Sequence, residues 1–134
     1  MGRSLLGVLA GAIAGFIVVM LVEWISLLLF PLPAGVDPTN QADIAAAIPS
    51  MPVGAFLMVM LAWVLGAGVG AVAALRLAGG ATRWPGLAVG GLVLAAALYN
   101  LAVIPHPAWF AVSSVLAIIA VTHFATRARP TAKE

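Results

Sequence analysis

The sequence predicts an all-α membrane protein, a four-transmembrane-helix bundle with a short external interfacial helix in its first loop. Three observations carry this. Of 134 residues, 64% are hydrophobic and only 7% charged, against about 25% charged in an ordinary soluble domain. The apolar residues fall into four runs, at about 5–30, 52–77, 85–104 and 107–126, each close to or above the roughly 20 residues that a helix needs to cross a hydrocarbon core of about 30 Å. The runs are broken by "PLP", which opens the connection 31–51, by "AGGATR" and by "IPHP". In lipid only a helix or a closed barrel satisfies its own backbone, so the reading is one integral membrane domain, 1–134, with four crossing helices.

The first run is the longest and can cross at a tilt. It opens like a secretory signal, "MGRSLLGVLAGAIAG", yet stays apolar well past the roughly 7 to 15 residues of such a signal, and so reads as a helix. Within it Gly7, Gly11 and Gly15 recur every four residues, a ridge of small side chains that lets a second backbone approach where lipid supplies no hydrophobic push between helices. Glu23 stands alone as the one charged residue of this run.

In the connection 31–51, Asp37 followed by Pro38 reads as an N-cap and first helical position, and Pro49 as a stop. The helix expected from about 38 to 48 would carry Ile44 and Ile48 on one side and lie on the membrane surface or over the bundle. In the second run Ala55, Ala62, Gly66 and Ala73 share an arc at about 100° per residue, as do Gly86, Gly90, Val93 and Ala97 in the third. The string "GAGVG" from Gly66 to Gly70 lies inside an apolar helix, where close packing rather than nucleotide binding explains it. Gly7, Gly11, Gly15, Gly66, Gly70, Gly86 and Gly90 are therefore assigned to helix packing, within one bundle or between protomers. Trp84, Tyr99 and Trp109 sit near the ends of their runs and suit the interfacial belts as anchors.

Orientation follows from the basic residues. Arg3 precedes the first run, Arg76 and Arg83 flank the second connection, and Arg127, Arg129 and Lys133 follow the fourth run. The positive-inside rule then puts both termini in the cytoplasm, with 31–51 and the "IPHP" turn outside. The expected location is the plasma (inner) membrane of a bacterium.

Composition excludes much chemistry. There is no Cys, hence no disulfide, thiolate ligand or cysteine nucleophile. One intramembrane Glu and two distant His residues, His106 and His123, do not make a metal site. Ser113 and Ser114 have no base at helical spacing and read as packing serines. A net charge of +2 gives no ground for nucleic-acid binding. No catalytic residue, cofactor, metal or nucleic-acid partner is expected; the expected partners are the lipid bilayer and other membrane subunits or further copies of the chain.

What remains is Glu23. At about 1.5 Å per residue it lies roughly 10 Å from the outer end of its run, and Asn100 roughly 6 Å from the same end of the third. Both fall on or beside packed faces, and His106 stands in the turn on that side. Glu23, Asn100 and His106 thus form one candidate substrate- or ion-binding group, with Trp24, Ser26, Tyr99 and Trp109 nearby. Ionised at mid-membrane, a carboxylate costs about 2.5–3.5 kcal/mol on insertion scales, while holding it protonated at pH 7 costs about 3.7 kcal/mol. The two nearly balance, so neighbours decide. Without titration, Glu23 would be a register pin hydrogen-bonded to Asn100.

Four helices, a short chain and a glutamate in the first helix resemble the small multidrug resistance transporters in architecture. The chain departs from that family in its long 31–51 connection and in carrying Glu23 toward the end of the first helix, and no residue role is carried over. Two functions are compatible with the residues: a non-catalytic subunit or assembly partner of a larger membrane complex, or a small oligomeric transporter or proton- or cation-conducting protein using Glu23. The absence of polar lining in the inner half beyond Thr122, His123 and Thr126 favours the subunit.

Overall fold

The computed structural model describes residues 1–128, and Arg129 and Lys133 lie outside them. All regular structure among these residues is helical: α1 (Gly2–Leu29), α2 (Gln41–Ala47), a 3₁₀ turn (Ile48–Ser50), α3 (Val53–Leu77), α4 (Trp84–Val103) and α5 (Ala108–Arg127). Four of these helices, α1, α3, α4 and α5, are long and apolar enough to cross a membrane. The chain is thus read as a multi-pass membrane protein.

The breakers act through backbone chemistry. Helix α1 stops at Phe30, whose amide donates to the Ser26 carbonyl before Pro31 removes the next donor. Helix α3 stops because Gly79 and Gly80 take φ of 87° and 70°, left-handed values that other residues avoid. There the Gly80 amide closes back on the Leu75 carbonyl at 2.9 Å. Helix α4 begins with Trp84 and Pro85, since proline suits a first turn whose amides have no helical acceptor.

The short helix of the 31–51 connection is present but begins three residues later than Pro38. Asp37 is not its cap: its carboxylate instead accepts from the Thr39 amide (2.8 Å) and hydroxyl (2.7 Å), closing an Asx turn. These bonds, the hydroxyl above all, hold the Asp37 carboxyl below the usual carboxylate range. Asn40 is the cap and accepts from the amides of Ala42 (2.9 Å) and Asp43 (3.4 Å). At the other terminus, α1 starts at Gly2 rather than near Leu5, taking Arg3 and Ser4 into its first turn.

Helix α3 is the centre, packing most extensively on α1 and then on α4 and α5; α4 also packs on α5 and, to a lesser extent, on α1. The glycine ridge of α1 meets the small residues of α3 antiparallel and in register. A Cβ added at Gly11 would stand 2.5 Å from the Gly70 carbonyl oxygen, and one at Gly15 would stand 2.7 Å from that of Gly66. Gly70 also receives Val89 of α4 beside the Gly11 contact, and Gly86 and Gly90 of α4 receive Thr126 and Thr122 of α5. All seven packing glycines are therefore used within one chain. Of the arc drawn through α3, Ala55, Ala62 and Gly66 are buried and Ala73 only half-buried; in α4, Gly86, Gly90 and Ala97 are buried and Val93 half-buried.

The alternation of helices gives the bundle two unlike ends. Every Lys or Arg among the described residues (Arg3, Arg76, Arg83 and Arg127) lies at the end that holds the start of α1 and the last turn of α5, called here the arginine end. There Arg83 clamps α4 to α5, its Nε donating to the Thr126 carbonyl and its Nη2 to the Thr126 Oγ1, both at 3.2 Å. The opposite, loop end carries α2, the 3₁₀ turn and the α4–α5 turn.

A candidate binding cavity at the loop end

A cavity of about 280 Å³ opens at the loop end between α1, α3 and α4, beneath the 31–51 connection. Its position follows from side-chain size. Beyond Gly15 the α1 ridge no longer carries glycine, and α3 there presents Phe56, Val59 and Trp63 in place of Gly66 and Gly70. Large side chains on the facing helix prop the seam apart, and the space between them is the cavity.

Glu23, Asn100 and His106, distant in sequence, all line this one cavity. Each is half-buried. Glu23 and Ser26 project from α1, Asn100 from the last turn of α4, and His106 from the turn that follows it. Trp63 of α3 lines the same cavity as Glu23. No hydrogen bond joins Glu23 to Asn100 among the described residues; both open into the shared space. A direct register pin between them is therefore not the arrangement seen.

His106 is held firmly. Its Nδ1 lies 2.8 Å from the Ile104 carbonyl oxygen, so this nitrogen carries the proton and donates, leaving Nε2 of the neutral ring as an acceptor. The ring stacks on Phe110 at 5.0 Å and 19°, and meets the edge of Phe56 at 6.3 Å. Burial against these rings pushes its pKa below the ordinary histidine value, opposed in part by the Ile104 carbonyl.

The connection closes the top. Ile44 of α2 and Ile48 of the 3₁₀ turn, four residues apart as their spacing implied, both face the cavity, with Leu32 and Pro38 beside them. Of the other residues grouped near Glu23, Ser26 lines the cavity, whereas Trp24 and Tyr99 are 61% and 65% exposed on the bundle's outer surface. Trp109 packs edge-on against Phe56 at 6.1 Å, outside the lining. Trp84, like Tyr99 and Trp109, lies at a helix end and is exposed.

Sequence reasoning missed the aromatic wall, Phe56 and Trp63. Trp63 did carry a signal, because a tryptophan in the middle of a spanning helix is out of place for an interfacial anchor and needs a partner for its N–H. The chemistry around the cavity is spare: among the described residues no three His, Cys, Asp or Glu side chains converge as metal ligands. Ser113 and Ser114 spend their hydroxyls on carbonyls of their own helix, those of Trp109 and Ala111. The cavity can offer a carboxyl, an amide, a hydroxyl and an imidazole acceptor within apolar and aromatic walls. No family model, no curated protein and no solved structure matches the chain.

Proposed function

We propose that the chain is a small, non-catalytic integral membrane protein that binds a proton or a small cation at Glu23 in the loop-end cavity. The observation that supports this is the convergence of Glu23, Asn100 and His106, from α1, α4 and the α4–α5 turn, on one roofed space. A carboxylate in a membrane interior is expensive to keep unless it is used or paired, and here it faces a cavity rather than a fixed protein partner. Of the two classes considered, carriage or conduction gains from this geometry. The accompanying orientation puts the arginine end in the cytoplasm of a bacterial cell, supported by the one-sided placement of Arg3, Arg76, Arg83 and Arg127.

The subunit reading keeps one specific support: the polar lining of the cavity stops in the loop-end half, and apart from the arginines, Ser4 and Thr82 at its end, the described part of the opposite half offers only Thr122, His123 and Thr126. Packing of the glycine faces between protomers has less support, since those faces are occupied by this chain's own helices.

Reconstitution in liposomes tests the proposal. The wild-type chain should release a proton or monovalent-cation gradient, and Glu23→Gln, which keeps shape and hydrogen bonding, should fold yet lose the flux or its pH dependence. Equal flux in both would overturn the role of Glu23. Co-purification with other subunits at a fixed ratio, together with no flux, would favour the subunit reading.

A further inference from the structure

The seam between α3 and α5 is bridged by aromatic rings in one half and grooved at its surface in the other. Toward the loop end Phe56 and Trp63 of α3 pack on Phe110 of α5, with ring centroids 5.6 and 5.5 Å apart. Toward the arginine end no aromatic pair bridges the two helices: Gly68 of α3 faces Val121 of α5, and a groove of about 650 Å³, with Gly68, Ala73 and Ala125 as its small lining residues and Val72 and Phe124 beside them, runs there along the bundle surface. It reaches from Val64, near the middle of α3, to Arg76 in its last turn. At about 1.5 Å per residue this is roughly 18 Å, close to half of a hydrocarbon core of about 30 Å. The groove thus spans one leaflet only. A partner helix would need a face that continued across the membrane.

The mouth of the groove is cationic. Arg76 lines it and its side chain makes no hydrogen bond among the described residues, whereas Arg83 at the same end is engaged by Thr126. The described carboxylates, Glu23, Asp37 and Asp43, all lie in the loop-end half, so none of these is at hand to neutralise Arg76. A basic side chain at headgroup level over an apolar inter-helix groove matches a negatively charged lipid head with one chain below it.

We infer that this groove is a binding site for an anionic phospholipid, with one acyl chain along Gly68, Ala73 and Ala125 and the phosphate at Arg76. The site is independent of the loop-end cavity. Native mass spectrometry of the full chain, titrated with phosphatidylglycerol or phosphatidylcholine, tests it. One phosphatidylglycerol should be retained per chain, with about a fivefold preference over phosphatidylcholine, whose choline cation cancels its phosphate charge, the effect of one cation beside a net anionic lipid head. Arg76→Gln should remove the preference and leave apolar binding. Ala73→Phe, which fills the groove from a half-buried position, should remove retention of both lipids while circular dichroism shows an intact fold. Arg127→Gln, a cation of the same end outside the groove lining, should change neither. Equal retention of the two lipids by the wild type, an unchanged preference in Arg76→Gln, or an equal loss in Arg127→Gln would each overturn the site, the last by showing diffuse surface attraction instead.

Discussion

The arginine-end and loop-end halves of the bundle are made from the same helices and differ in what faces what across the α1–α3 seam. In the first, Gly7, Gly11 and Gly15 rest on backbone at Ala74, Gly70 and Gly66, with only the methyls of Ala78 and Ala74 beside the first two. In the second, Ser26 and Glu23 face Phe56, Val59 and Trp63 across a cavity. Small residues close a membrane bundle and large ones hold it open, because without a hydrophobic drive between helices the association rests on how closely surfaces can meet. A polar group can be sheltered only where the seam is open.

The largest test enlarges one residue on each side of this divide. Gly11→Leu would drive its side chain into the Gly70 carbonyl and Ala74, contacts with backbone that cannot step aside, and should destabilise by more than the about 1–3 kcal/mol of ordinary overpacking. Val59→Phe adds comparable bulk beside the cavity and should fall below that range. Unfolding in mixed detergent measures both, and equal losses would break the comparison. Next in size is Arg83→Gln, which removes the charged clamp on the last turn of α5; a loss of about 1.5–3 kcal/mol is expected for hydrogen bonds from a charged donor. Because this clamp belongs to the closed end, amide exchange should quicken near Thr126 and leave α2 unchanged.

A smaller effect is expected at the roof. Asn40→Ala removes the cap of α2 and should cost about 1 kcal/mol, seen as faster exchange at Ala42 and Asp43 and as fraying of the cover above the cavity. The smallest concerns pH. With its pKa lowered in the folded chain, chiefly by burial, His106 binds fewer protons folded than unfolded between the two values. Its contribution is present above the ordinary value of about 6.5 and is lost as pH falls through the lower folded value. Titrating stability downward from pH 7.5 should show this loss, and His106→Phe, which keeps a ring on Phe110, should remove that share of it.

Much of this architecture was legible in the chain itself. The four spanning helices were marked by run length and by Pro31, Gly79–Gly80 and Pro85, since a residue's backbone preferences act wherever it stands. The start of α2 was misread because Asp37 and Asn40 are both competent caps, and the choice rests on Thr39 engaging Asp37 first. The grouping of Glu23, Asn100 and His106 could be guessed from depth along the helices, because antiparallel helices of known rise share a coordinate across the membrane.

By itself, then, the sequence determined the helices, their alternation and the segregation of described arginines to one end, all of which depend on local chemistry and on distance along a helix. Only the tertiary structure decided which glycines meet which backbone, that these contacts lie inside one chain, and that Trp63 and Phe56 prop open the space Glu23 faces. Those depend on the rotation of each helix about its axis. In helices this rich in alanine and glycine many rotations offer small residues to a neighbour, and a particular one is selected when all the contacts form together.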